Sequence, residues 1–347
     1  MTSASFAGRR HGANPDKLYR AMGVPMPERV VDFSTNVNVL PWRGWKAFAP
    51  DLPGLLSAYP DDEAEELRSV IAGFENCPLE NVLVVNGSNE AIFLLASFFA
   101  GKKAAVLQPA YGEYLRALSA YGADICGVTA PERLPEDVEA FFLCNPCNPT
   151  GAYIESGKLE KLFADHPRVL FVIDEAYIDF LMGEHRKIDF LRHGNVVILR
   201  SLTKIFHLCG VRAGYVLAAN EWLARLKNRQ PTWSVNALAQ TAAAAFLRDE
   251  DFVRETRAFY TTETPRFMAE VEKAGFGVLP TRTNFFLIDV SKPGDEEVIR
   301  ALLERGLVVR HTRNFPGLDG RYIRAATRLP RENDLLSQAL GEIVSLP

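Results

Sequence analysis

The sequence has few cysteines, no long apolar run and no surplus of positive charge. Each shortage removes a class of protein. Five cysteines in 347 residues, an odd number, do not make a disulfide framework. Met1–Arg10 is polar with two arginines and no apolar stretch, unlike a signal peptide, so reduced thiols and a cytoplasmic location are expected. The most apolar run, Ala91–Ala100, falls far short of the ~20 residues that span a bilayer. It is expected to be a buried helix, and no membrane partner is expected. Lysine and arginine number 39 against 43 aspartates and glutamates, for a net charge of -4. Without a basic stripe interleaved with aromatics, nucleic acid is not an expected partner either. No G-x-G-x-x-G turn follows any strand, which leaves a nicotinamide dehydrogenase without its phosphate turn. Cys144 and Cys147 make the one C-x-x-C pair. With no second pair and no nearby histidine pair, two small residues in a tight turn outweigh zinc or redox chemistry, and no metal is expected.

What is present is ordinary globular material, 48% apolar and 24% charged, in a chain long enough for a large and a smaller domain. Residues 1–45 read as an irregular arm broken by Gly12, Pro15, Pro25, Pro27 and Pro41, with a short helix near Asp16–Met22. Leu67, Val70, Ile71 and Phe74 recur at helical spacing over Asp61–Phe74. Strands and helices then alternate. Strands are expected at 81–85, 103–107, 140–144, 169–173 and 196–199, with 216–218 as a candidate edge strand. Helices are expected at 88–100, 112–121 and 159–164. Continuous apolar runs such as FFLC, LFVI and VVIL suit parallel strands covered on both faces. A helix over about 233–247, continuing to about 270, precedes a small α/β unit. That unit reads as strands at 284–288, 307–310 and 322–325 and helices at 296–304 and 331–344.

The unusual polar segments each follow an apolar strand, where open α/β sheets bind ligands. Asn86-Gly87-Ser88-Asn89-Glu90 opens a helix and offers free N–H groups suited to a phosphate, although a plain helix cap would read the same way. Asn145-Pro146-Cys147-Asn148-Pro149-Thr150-Gly151 is a turn that presents the Asn148 amide. Asp174, ending a buried strand, needs a cationic partner or a capping role to offset desolvation. Arg200-Ser201-Leu202-Thr203-Lys204 follows another buried strand, and Arg212 lies eight positions after Lys204. Asp174 stands 26 positions after Asn148, and Lys204 stands 30 after Asp174. A lysine for covalent attachment, a carboxylate for a pyridine nitrogen and phosphate donors together match the needs of pyridoxal 5'-phosphate.

The quartet N-P-T-G, D-E-A-Y, S-L-T-K and G-V-R-A-G-Y resembles the fold-type I aminotransferases of class I and II. Within them it is most similar to histidinol-phosphate aminotransferases and threonine-phosphate decarboxylases, over essentially the whole chain. The resemblance implies an α/β protein of the pyridoxal-phosphate transferase fold. Residues 46–240 would form a large domain on a mostly parallel seven-stranded sheet, residues 241–347 a smaller C-terminal α/β domain, and residues 1–45 an arm packing on it. It implies that Lys204 holds the cofactor and moves the proton, that Asp174 pairs with the ring nitrogen, and that Tyr177 and Asn148 hold the ring hydroxyl. Tyr111 would stack on the ring. Gly87, Ser88, Asn89, Ser201 and Arg212 would bind the phosphate. Tyr59 would reach the phosphate of a neighbouring subunit, making a homodimer with shared sites. Arg324 would clamp the substrate carboxylate.

H-G-A-N at 11–14, D-F-S-T-N-V-N at 32–38 and W-S-V-N-A-L-A-Q at 233–240 resemble the decarboxylase branch. Ala13 stands where that branch has a glycine, and Val39-Leu40-Pro41 where it has P-L-G. The expected substrate is a small amino acid with a phosphate or similar anionic tail, met by His11, Asn14, Asn38, Arg313 and Arg328. The expected reaction is decarboxylation. The alternative is transamination with a 2-oxo acid, since the Cα bond held perpendicular to the ring decides between them. A ligand-binding regulator on the same scaffold is the remaining alternative; it would carry an added DNA-binding domain that the arm does not resemble.

Overall fold

The computed structural model describes residues 12–183 and 187–344. Helices α1 to α6 are Pro15–Met22, Leu52–Ser57, Glu65–Glu75, Ser88–Ala96, Glu113–Ala120 and Ser156–Asp165. Helices α7 to α12 are Leu202–Ile205, Asn220–Lys227, Ala237–Leu247, Glu250–Lys273, Asp295–Glu304 and Pro330–Val344. Strands β1 to β6 are Val31–Asp32, Val82–Val85, Lys103–Leu107, Asp124–Val128, Ala140–Cys144 and Leu170–Asp174. Strands β7 to β12 are Val196–Ser201, Gly214–Ala218, Phe285–Asp289, Leu307–Val308, Arg310–His311 and Tyr322–Ala326.

Strands β2 to β8 form one seven-stranded sheet in the order β2-β8-β7-β6-β5-β3-β4. All but β8 run in one direction, and β8 is antiparallel to both its neighbours. Strands β5, β6, β7 and β8 are buried at every residue, as continuous apolar runs covered by helices on both faces require. This arrangement corrects the expectation for 216–218: β8 is an interior strand, one in from the edge. Its shortness in the sequence arises because Gly214 and Tyr215 belong to it but do not read as a strand. Of the two edge strands, β2 and β4, the sequence does not announce β4, because DICGV is partly exposed and carries no apolar run. Helix α8, amphipathic with only Leu223 and Leu226 buried, was missed for a similar reason.

A second sheet, β11-β12-β9, is antiparallel. The segment expected as one strand at 307–310 is two. Leu307–Val308 pairs with β1 of the arm, and Arg310–His311 pairs with β12, so the chain changes sheets at Val309. Leu18, Tyr19, Met22 and Phe33 of the arm pack with Phe267, Phe286, Leu302 and Leu340 in one core. The other core gathers the large sheet and also takes in Trp42, Phe246, Phe252 and Tyr260. The boundary expected at 240 therefore falls inside α9. The long helix α10 belongs to both cores, with Tyr260 in one and Val271 in the other. The expected continuous helix breaks at Arg248–Asp249, where the Asp249 carboxylate caps α10 through Phe252 N at 3.1 Å and takes Trp42 Nε1 at 2.9 Å. Among the described residues no helix is long and apolar enough to cross a membrane.

Candidate active site

The carboxyl ends of β2, β3, β5, β6 and β7, with the turn that enters β8, bring the expected residues to one place. Ser88, Asn89, Tyr111, Asn148, Asp174, Tyr177, Ser201, Lys204 and Arg212 line a single cavity. A second cavity adjoins it, sharing Tyr111, Asn148, Tyr177 and Lys204, and continues to Ser34, Asn36, Arg310, Phe315 and Arg324. The first is wide enough in donors for a phosphate and a ring. The second supplies cations for another anion.

Local geometry explains the glycines. Gly87, at φ 69°, leads into α4, and a Cβ there would come 2.8 Å from an Arg212 guanidinium nitrogen. A Cβ on Gly214 would meet Arg200 O at 2.7 Å and Ser88 N at 2.8 Å. Both glycines let β8 and the turn into α4 close on each other, so the free N–H groups at the start of α4 and the Arg212 side chain share one corner. The Asn89 amide oxygen is buried there without a hydrogen-bond partner among the described residues, and Ser201 Oγ lies 2.7 Å from Thr203 Oγ1.

Lys204 is carried on the one-turn helix α7, which β7 leads into directly. Burial holds its ammonium below the usual lysine value, and the nearby Arg212 and Arg324 act in the same direction. A lysine that loses its proton readily is what attack on an aldehyde requires. Asp174 is buried, and burial pushes its carboxyl up despite the donors it receives. One oxygen accepts from Tyr114 OH at 2.6 Å and the other from Ala176 N at 3.0 Å. A buried carboxylate at the mouth of a cavity, held by neutral donors alone, is suited to a cationic ring nitrogen. Tyr177 OH accepts from Asn36 Nδ2 at 3.4 Å, which leaves its own proton free to point into the cavity. The donor set and the glycine-cleared corner fit pyridoxal phosphate.

Arg324 and Arg310 face each other across β12 and β11 in register, and both are buried. Arg324 donates to Asn148 Oδ1, and to Ser34 O at 2.7 Å, while its Nε is buried without a hydrogen-bond partner among the described residues. Arg310 donates to His311 O at 2.9 Å and Asn314 Oδ1 at 2.7 Å. The Asn36 amide oxygen, 2% exposed, also lacks a hydrogen-bond partner among the described residues.

The other expected substrate residues that are described make their contacts as follows. Arg313 is turned to Asp295, with two bonds of 2.7 Å, because that carboxylate heads α11 beside it. Arg328 is drawn to Glu332 one helical turn on and to Asp32 O. Asn38 bonds Ile205 O, Thr256 Oγ1 and Leu40 N, and its own N–H donates to Lys204 O at 3.0 Å, so it braces the lysine's backbone. Asn14 is exposed ahead of α1, and Gly12 and Ala13 line the second cavity in its place. His11 lies outside the described residues. Tyr59 is 80% exposed and packs on Trp233, with ring centroids 4.6 Å apart, on the outer surface. The Cys144 thiol donates to Pro146 O and the Cys147 thiol to Pro109 O. Sequence reasoning missed Tyr114, Asn36 and Arg310. Arg310 ends an apolar run, the same signal that drew notice to the other motifs.

Residues 28–334 match the family described as aminotransferase class I and II. The chain is 32% identical to threonine-phosphate decarboxylase of Salmonella typhimurium, covering 96% of each protein. It is 32% identical to histidinol-phosphate aminotransferase of Moorella thermoacetica, covering 95% of this chain and 89% of that one. The crystal structure of L-threonine-O-3-phosphate decarboxylase from Porphyromonas gingivalis superposes with a TM-score of 0.86 at 27% identity, over 91% of this chain and all of that one. With this fold, this cavity and these relatives, the chain belongs to the aminotransferase class I and II family and is a pyridoxal-phosphate-dependent enzyme of fold type I.

Proposed function

We propose that the enzyme removes the carboxyl group of a short amino acid bearing a phosphate tail, as a threonine-phosphate decarboxylase does. The observation that carries this reading is the in-register pair Arg310 and Arg324. Like charges directly opposite on neighbouring strands destabilise a sheet. Two buried guanidinium groups line the cavity beside Lys204, and a substrate with two anionic ends suits that pair. Near-full-length identity to a decarboxylase and the fit to a second one support the same choice.

The cofactor, when bound, withdraws electrons from the substrate Cα and so stabilises the carbanion left by carbon dioxide or a proton. In this reading Lys204 holds the cofactor and transfers the proton at Cα. Asp174 keeps the ring nitrogen charged, with Tyr114 fixing its carboxylate. Tyr177 and Asn148 face the ring hydroxyl, Tyr111 covers the ring, and Gly87, Ser88, Asn89, Ser201 and Arg212 take the phosphate. Arg324 and Arg310 take the substrate's two anions, and Asn36 offers an acceptor between them. Remote binding of the tail then orients the scissile bond.

We further propose a homodimer with shared sites, in the cytoplasm. Tyr59 and Trp233, packed on each other and exposed, make an apolar patch that a second copy would cover. The test of function is incubation with O-phosphothreonine, with and without a 2-oxo acid. Carbon dioxide release without the oxo acid is the expected result. Turnover that requires the oxo acid and returns a new amino acid would instead assign transamination, the reading favoured by the equal identity to the aminotransferase.

A further inference from the structure

Behind the cofactor cavity, on the other face of the sheet, lies a buried charged row that the reaction above leaves unused. Side chains alternate along a strand, so Glu175 and Arg200 face away from Asp174 and Ser201. Arg200 stands opposite Tyr215 of β8 in register, and Glu175 N bonds Leu199 O of β7 at 2.8 Å. Arg200 Nε is 3.3 Å from a Glu175 oxygen, and its Nη2 is 3.2 Å from Glu75. Glu75 also takes Tyr215 OH at 2.5 Å and Lys187 Nζ at 2.8 Å. Glu75, Glu175, Arg200 and Tyr215 are all buried. A buried charged row stabilises a fold less than apolar residues of the same volume would. What it supplies in exchange is position.

We propose that the Glu175–Arg200 pair is a clamp across the ends of β6 and β7 that sets the separation of Asp174 from Lys204. This rests on those two being the cofactor's carboxylate and lysine. One peptide bond joins Glu175 to Asp174, and only Ser201, Leu202 and Thr203 separate Arg200 from Lys204. Neither Glu175 nor Arg200 lines the cofactor or substrate cavity, so both are positioning residues.

The clamp titrates. Burial pushes the Glu175 carboxyl up to about 7, against the pull of Arg200. Burial acts on Glu75 as well, but Arg200 and Lys187 outweigh it and hold that carboxyl below its usual value. Arg200 therefore meets one permanent carboxylate and one that changes charge near neutrality. The other groups around Glu175 are Asp179 just after β6, with Arg257 of α10 upon it, Lys187 ahead of β7, and Tyr153 after β5. A cavity lined by Phe74, Asp179, Lys187, Arg254 and Arg257 reaches Arg200 from outside and gives protons a path. The clamp closes as Glu175 ionises above about pH 7 and slackens below it.

The experiment is Glu175→Gln in the holoenzyme. At pH 6 its kcat should stay within about twofold of wild type. At pH 8 it should fall about tenfold with KM unchanged, the size of one lost ion pair. The cofactor-free protein should respond in the opposite sense. A carboxyl whose folded pKa is raised contributes stability below its unfolded value of 4.5 and loses it as pH rises through about 7. Glutamine does not lose it, so the variant should melt several degrees above wild type at pH 8 and match it at acid pH. Slower yet more stable is a combination that simple structural damage does not give. An unchanged kcat at pH 8, or a raised KM in place of a lowered kcat, overturns the clamp. If the variant does not fold, Arg200→Lys, which keeps a positive charge but removes the guanidinium nitrogen that sits 3.3 Å from Glu175, must still lower kcat at pH 8; an unaffected kcat overturns it equally. Peptide mapping after borohydride reduction of wild type separates the premises. Cofactor found away from Lys204 refutes the site assignment, whereas cofactor on Lys204 with an unaltered pH profile refutes the clamp alone.

Discussion

Replacing Tyr114 by phenylalanine removes one oxygen atom from the centre of the site. The ring is fully buried and packs edge-on against Tyr111, with centroids 5.7 Å apart, and tilted against Phe142 at 6.3 Å, contacts that phenylalanine keeps. What is lost is the 2.6 Å donation to Asp174. Burial and the Asp174 charge hold the phenol far above its ordinary pKa, so in the native enzyme it is always a donor. A hydrogen bond to a charged acceptor is worth about 1.5–3 kcal/mol. Expressed fully at the reacting state, that is a ten- to hundred-fold loss in kcat/KM at about 1.36 kcal/mol per decade. The pH dependence carries a sign as well. Burial already raises the Asp174 carboxyl, and Tyr114 opposes it. Without Tyr114 the carboxyl rises further, so activity that needs the ionised form is lost at a higher pH as the solution is acidified. Steady-state kinetics across pH, with circular dichroism to confirm folding, measures both effects. A variant with kcat/KM within about twofold of wild type and an unmoved acid limb refutes the idea that Tyr114 fixes Asp174.

Lys204→Ala should abolish turnover and leave cofactor that borohydride cannot fix to the chain; mass spectrometry reads this directly. Asp174→Asn should keep the fold and cofactor binding but lower kcat by orders of magnitude, because a neutral amide cannot hold a charged ring nitrogen; near-normal rates would place Asp174 away from the ring. Arg310→Gln should raise KM for a phosphorylated substrate about ten- to hundred-fold, the loss of one charge-assisted contact, and affect an unphosphorylated analogue far less. Mixing inactive Lys204→Ala subunits with inactive Tyr59→Ala subunits should restore part of the activity if sites are shared; a fully active monomer in sedimentation would contradict the dimer.

The cofactor side of the site was legible because its residues are bound to strand ends. An apolar run fixes where the strand stops, and Asn148, Asp174 and Lys204 follow such runs directly. The substrate side was not legible in this way. Arg313 and Arg328 were expected to face a ligand because they flank Arg324 in sequence, but nearness along a loop says nothing of direction. Arg313 meets Asp295, an acid on a helix that only the packing brings close, and Arg328 meets Glu332 at the start of the very next helix. Arg310 was the reverse case, since a change of sheet at Val309 turns it inward opposite Arg324. The same limit governed the fold. Buried strands announced themselves, whereas β4 at the edge and α8 on the surface carry too little apolar signal.

The one reversed strand also explains a ruler written into the sequence. Asn148, Asp174 and Lys204 stand 26 and 30 residues apart because each interval crosses from one parallel strand to the next, a journey that needs a dozen residues or more beyond the strands. Arg212 stands only eight residues past Lys204, since β8 returns antiparallel and enters the sheet at the end where β7 leaves it. A residue placed just before a parallel strand would arrive at the wrong edge of the sheet. Reversal therefore converts a residue that precedes a strand into a neighbour of residues that follow strands. The two kinds of interval should tolerate change differently. Residues added on the surface of a crossover, near α6, lengthen a path with slack in it, whereas a single residue inserted between Phe206 and Val211 moves Arg212 off the corner it shares with Gly87 and the start of α4.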